Sequence, residues 1–166
     1  MKFMNIMVPY DKSEHARYAL ELARGLAEED SRIKLHVVGV VSVTDIPPSL
    51  NPDMTSLGEL PATMLDPQIY RELADEATAR EVREMRESIG DMLDALPNET
   101  ETRALNHPSV VEGIVEFADE HGCDLIVMGS RGLGILRGML GSVSRGVLRE
   151  AEIPVLIAKK ADEKVG

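Results

Sequence analysis

Cys123–Leu148, CDLIVMGSRGLGILRGMLGSVSRGVL, places an apolar run, a glycine-rich loop and the start of a helical pattern in direct succession. Leu125 to Met128 are uninterrupted apolar residues ending at Gly129, the pattern of a strand covered on both faces in a parallel sheet. A glycine loop therefore leaves the carboxyl edge of a buried strand. In open α/β sheets that edge is where ligands bind. Glycines let backbone N–H groups approach an anion, which the N-terminus of the following helix also attracts. The stretch predicts a phosphate site.

The flanking sequence places this loop in an alternating chain. After it, a helical pattern runs to about Glu150, and IPVLIA, Ile153 to Ala158, reads as a last strand. Before it, Ser109 and Glu112 form a capping box ahead of a short helix ending near Gly122, and Thr100 to Leu105 reads as an edge-like strand. Apolar residues at helical spacing from Gln68 to Leu96 predict a long amphipathic helix, bent near Gly90. At the start, Phe3 to Val8 is a strand closed by Pro9, followed by a helix over about Glu14 to Glu28 and a β-branched strand from Ile33 to Val41. The order is βαβαβαβαβ, which implies a mainly parallel sheet with right-handed crossovers and helices on both faces. The proline-rich segment 42–67 has no period and predicts a mobile flap, while 161–166 is a charged tail. Residues 1–160 are expected to form a single α/β domain.

Composition narrows the function. Hydrophobic residues make up 43% and charged residues 28% of the 166, and no apolar run approaches the roughly 20 needed to span a bilayer. With no signal-peptide pattern at the N-terminus, the expected location is cytoplasmic. A formal charge of −11 argues against nucleic acid and anionic lipid as partners, which need a basic face. A nucleotide needs a few local donors, and Arg131, Arg137 and Arg145 lie in or beside the loop. The single cysteine, Cys123, excludes an intrachain disulfide and reads as a small buried thiol.

Motif tests narrow the phosphate ligand. A P-loop needs a lysine after its last glycine, and none of the loop glycines is followed by one. Gly132, Gly134 and Gly138 spell GxGxxxG, but a dinucleotide fingerprint belongs at the first strand of its unit, with an acid ending the next. His15, His36, His107 and His121 show no metal-ligand spacing, and no GxSxG elbow occurs. Asp11 is a candidate ligand for a divalent ion bridging phosphates, Mg2+ or Mn2+, which would permit slow hydrolysis.

The segment GSRGLGILRGMLGSVS, Gly129 to Ser144, resembles the nucleotide-binding signature G-x2-G-x9-G-[ST] of the universal stress protein family. VPYD at Val8 to Asp11, LHVV at Leu35 to Val38, His107 to Gly132 and IPVLIA extend the resemblance over nearly the whole chain. Eight residues rather than nine separate Gly132 from Gly141, and Tyr10 stands where the family more often has a small or β-branched residue.

The resemblance implies a Rossmann-like, adenine nucleotide alpha hydrolase-like fold with five parallel strands in the order 3-2-1-4-5. It implies ATP or AMP as ligand and a stress-response binding or signalling role. Asp11 and Val37 would lie along the adenine and ribose end, Val37 through its backbone, with Pro9 shaping that wall. Met128 and Gly129 would border the ribose, while Arg131, Gly132, Gly141, Ser142, Val143 and Ser144 would surround the phosphates. Ser142 and Ser144 are also candidate helix caps. A homodimer through Ile153–Ala158 is implied as well, and independently that apolar edge needs covering. The alternatives are a nucleotide-free dimeric structural protein and a weak ATPase.

Overall fold

The computed structural model describes residues 1–42, 66–131 and 139–160. Residues 43–65 of the expected flap, the loop glycines Gly132, Gly134 and Gly138, and the charged tail lie outside the described residues, and Pro67 at the end of the expected flap is instead the first residue of a helix capped by Asp66. The chain runs β1 (Asn5–Pro9), α1 (Glu14–Glu28), β2 (Lys34–Val41), α2 (Pro67–Ile89), β3 (Thr100–Asn106), α3 (Val110–Glu120), β4 (Leu125–Gly129), α4 (Ser142–Glu150) and β5 (Val155–Ala158). All four strand pairings are parallel, in the order β3-β2-β1-β4-β5, so the expected sheet is the observed one.

The apolar runs follow from burial on both faces. Side chains alternate along a strand. Ile6 and Val8 of β1 and Leu125 and Val127 of β4 therefore meet α1 and α2, through Ala16, Ala19, Leu20, Ala23, Met85 and Ile89. Met7, Ile126 and Met128 point the other way, against Ile114 and Phe117 of α3 and Val147 of α4. The carboxylate of Asp124 then fixes the lower edge, accepting the N–H groups of Met4 at 2.8 Å and Asn5 at 3.1 Å.

Several boundaries differ from the sequence reading by a residue or two, and three differences have a clear physical cause. The long helix stops at Ile89 because Gly90 takes φ +58, and the chain turns so that Met92 returns to the core. Pro9 is the last residue of β1 rather than the residue after it, paired with Val38 at a position that needs no further ladder donor. The last strand begins at Val155, since Pro154 has no N–H; its carbonyl instead accepts the N–H of Ile126 at 3.0 Å.

Among the described core residues, Cys123 and His36 have shifted pKa values. Burial, with the charge of Asp124, pushes the Cys123 thiol up to about 11, so it is a packing residue. His36 lies under α3, its Nδ1 3.2 Å from a Glu101 oxygen and its ring edge-on to Phe117 at 5.7 Å. His121 and Arg103 approach the same Phe117, and Lys34 adds a nearby charge. Burial lowers the His36 pKa despite the opposing pull of Glu101.

That depression has a definite sign. Below the ordinary histidine pKa of about 6.5 the unfolded chain binds the proton more readily, so stability falls as pH falls. Denaturant unfolding at pH 7.5 and 5.5 should show this loss, and His36→Gln should shrink it. An equal loss in both proteins would assign the acid sensitivity elsewhere.

Candidate functional site

A cleft of about 730 Å³ opens over the carboxyl ends of β2, β1 and β4, between the N-terminal turns of α3 and α4. Its volume is in the range of small-molecule sites, and apolar side chains supply most of its wall. The sheet order sets its two ends. On one side β4 passes into α4; on the other, β2 lies beneath α2.

At the α4 end the backbone is exposed to the cleft by design of the turn. The Gly141 N–H donates to the Ser130 carbonyl at 2.8 Å, closing the base of the glycine loop. Ser130 N–H is itself tied to the Ala158 carbonyl of β5 at 3.1 Å. Gly141 is the N-cap of α4 and supplies no side-chain acceptor. Among the described residues no side chain caps the first N–H groups of the helix, and Gly141, Ser142, Val143 and Ser144 all line the cleft. The two serines do not cap the helix as the sequence suggested. Ser142 is the first helical residue, and the Ser144 hydroxyl donates to the Gly129 carbonyl at 2.9 Å, locking α4 onto the end of β4. Gly129 must lack a side chain here, since a Cβ would stand 2.8 Å from the backbone carbon of His15 on α1.

The β1–α1 turn forms the middle of the site. Tyr10 N–H donates to the Val38 carbonyl at 2.9 Å, and its hydroxyl is 2.7 Å from Ser88 Oγ on α2. Its buried ring joins the core, which accounts for a large residue where the family favours a small one. Asp11 Oδ1 accepts the Ser13 N–H at 3.0 Å, and Ser13 Oγ caps α1 by accepting from Ala16 at 3.1 Å. Between them Lys12 takes φ +65, a conformation that costs a residue with a Cβ about 1 kcal/mol or more. Its ammonium is held at 2.7 Å by both Glu81 and Glu84 of α2. Partial burial opposes the charge, but the two carboxylates outweigh it and raise the Lys12 pKa.

Of the residues expected at the site, Pro9, Asp11, Met128, Gly129, Arg131, Gly141, Ser142, Val143 and Ser144 come together around the cleft. Gly132 lies outside the described residues. Val37 does not line the cleft: it is fully buried on the α1–α2 face, and its neighbours Val38 and Val40 form the wall instead. The period-two alternation of β2 turns the Val37 side chain away from the cleft; it does not bear on the backbone of Val37, the part expected to contribute. The sequence reading also missed Lys12, Glu81, Val110 and Ile114. Lys12 carried a signal, as a charged residue between Asp11 and Ser13 in a turn before a helix. Glu81 carried none, being brought in by the docking of α2. Among the described residues, no group of three or more His, Cys, Asp or Glu is arranged to hold a metal ion.

The universal stress protein family model matches residues 2–159. A relative from Methanocaldococcus jannaschii, universal stress protein MJ0531, is 31% identical, over 95% of this chain and 83% of its own length. The solved structure of MJ0577 superposes with a TM-score of 0.71 at 23% identity, covering 98% of this chain and all of that one, a likeness of fold. The universal stress protein from Archaeoglobus fulgidus, solved in complex with dAMP, superposes with a TM-score of 0.50 at 25% identity, over 95% of this chain and 98% of its own.

Proposed function

The chain belongs to the universal stress protein family, and on that premise we propose that it binds an adenine nucleotide, ATP or AMP, in the cleft above the sheet, as a cytoplasmic stress-response binding or signalling module. The observation that carries this reading is the asymmetry of the cleft. One end presents the uncapped N-terminus of α4 beside Gly129 and Arg131; the other is walled by Val38, Val40 and Ile114. A phosphate chain suits the first, and a flat base the second. The dAMP complex of the Archaeoglobus fulgidus protein supports the same ligand class.

In this reading the backbone N–H groups of Ser142 and Val143 hold phosphate oxygens, and Arg131 adds positive charge. Asp11, exposed at the mouth, is the group available to a Mg2+ or Mn2+ ion carried by the nucleotide. The ion would neutralise phosphate charge, and residues 1–160 would fold as the binding domain. We further propose a homodimer through Ile153–Ala158. β5 pairs with β4 alone among the described strands, and Leu156 is exposed on it. No helix among the described residues is long and apolar enough to cross a membrane.

Calorimetric titration with Mg-ATP tests the central claim. Saturable heat and an upward thermal shift are expected; neither at millimolar ligand would overturn it.

A further inference from the structure

The turn that places Asp11 in the wall of the cleft depends on a backbone conformation that its own sequence does not favour. Lys12 has φ +65, and among the described residues it is the only one other than glycine with a positive φ. A left-handed residue with a Cβ persists where its surroundings hold it there. Two sets of contacts do so. The Ser13 N–H donates to Asp11 Oδ1 at 3.0 Å across the turn. The Lys12 ammonium donates to Glu81 and to Glu84 of α2, at 2.7 Å each. α2 comes within reach of the turn because Gly39 of β2 has no side chain: a Cβ there would stand 3.2 Å from Glu81 Cγ. Asp11 and Lys12 both line the cleft, whereas Glu84 is not part of its wall.

We propose that Lys12 is a positioning residue: its ion pairs with Glu81 and Glu84 hold the β1–α1 turn in the left-handed form that presents Asp11 to the nucleotide. This rests on the nucleotide reading above and deepens it. The two carboxylates engage the lysine charge from α2, so Lys12 acts on the ligand through the backbone of the turn rather than as a phosphate contact. Without that tether a residue with a Cβ relaxes toward negative φ and the Asp11 carboxylate leaves its place. Only the fraction of molecules still in the original form then binds with full affinity. Glycine occupies the left-handed region without steric cost, so at this position it keeps the turn while lacking the charge. The substitution separates geometry from electrostatics.

Calorimetric titration of the whole protein with Mg-ATP, well below Tm, provides the test. Lys12→Ala is expected to weaken binding about fivefold, and Lys12→Gly, which loses the same charge, to stay within about twofold of wild type. In an Asp11→Ala background the two lysine variants should bind alike, since Lys12 acts through Asp11. Glu81→Met combined with Glu84→Ala removes both acceptors and should also weaken binding. Electrostatics alone gives the opposite sign there, because two negative charges are taken from near an anionic ligand. Thermal melts verify the fold of each variant, and the double glutamate variant tests the tether even where Lys12→Ala does not fold. Equal losses in Lys12→Ala and Lys12→Gly, a difference that persists without Asp11, or unchanged or tighter binding by the double glutamate variant would each overturn the assignment while nucleotide binding stands. Absence of binding by the wild type would overturn the assignment and the nucleotide reading together.

Discussion

Asn98→Asp is expected to destabilise the protein by at least about 3 kcal/mol, lowering Tm by roughly 6–12 °C. Asn98 is almost fully buried in the turn between α2 and β3, 6% exposed. Its side-chain NH2 donates to the carbonyls of Ala27 at 3.0 Å, Asp30 at 2.9 Å and Ile33 at 2.8 Å. These carbonyls belong to the end of α1, the turn after it and the residue leading into β2. One amide thus fastens the first βαβ unit to the turn before β3. An aspartate has the same shape and no N–H, so it faces a carboxylate onto three carbonyl oxygens. The repulsion and the loss of the bonds that the two Asn98 N–H groups share among the three carbonyls act together.

Asn98→Ala separates the two terms, because it loses the bonds without adding charge and should cost about 1–3 kcal/mol. The aspartate variant should also recover on acidification. A carboxyl in that site is held above its ordinary pKa, so the folded state takes up a proton before the unfolded chain does, and stability relative to wild type rises as pH falls below about 6. Denaturant unfolding of the three proteins at pH 7.5 and 5 measures this. A loss below 1 kcal/mol, or no relative recovery in acid, would show that the three carbonyls are satisfied some other way.

The strand order followed from the family resemblance, while the strands and their burial on both faces were legible in the sequence because buried strands write unbroken apolar runs, as Leu125 to Met128 does. Asn98 was not, since an asparagine after Pro97 reads as an ordinary turn residue, and its three acceptors lie 65 to 71 positions away. The site divides along the same line. Residues that the chain brings to the cleft by local succession, Gly129 at a strand end and Gly141 to Ser144 at a helix start, could be read from order and spacing. Val38 could also be found, by carrying the alternation of β2 one residue further than Val37. Glu81 depends on the packing of α2 over Gly39, a contact set by tertiary fit. The cap of α4 misled for a physical reason as well: serine favours the N-cap, but here Gly141 occupies it and Ser144 binds a strand carbonyl instead.

Ser142→Asp should move stability and binding in opposite directions, with ATP affinity falling at least about tenfold. Ser142 is the first residue of α4 and is exposed at the mouth of the cleft. A carboxylate at that position complements the positive end of the helix and should leave Tm unchanged or slightly raised, the usual gain being about 0.3–1 kcal/mol. The same carboxylate occupies the field that the phosphates would use, and it repels them. The penalty therefore scales with ligand charge: large for ATP, smaller for AMP and near zero for adenosine. Raising the salt concentration should shrink it, because the group is exposed and screened. Ser142→Ala, which leaves the backbone N–H groups in place, should weaken binding much less. A generic defect would lower affinity for all three ligands alike and would lower Tm with it. Unchanged ATP affinity in a folded Ser142→Asp protein would remove the phosphates from the N-terminus of α4, and with them the proposed direction of the nucleotide across the sheet edge.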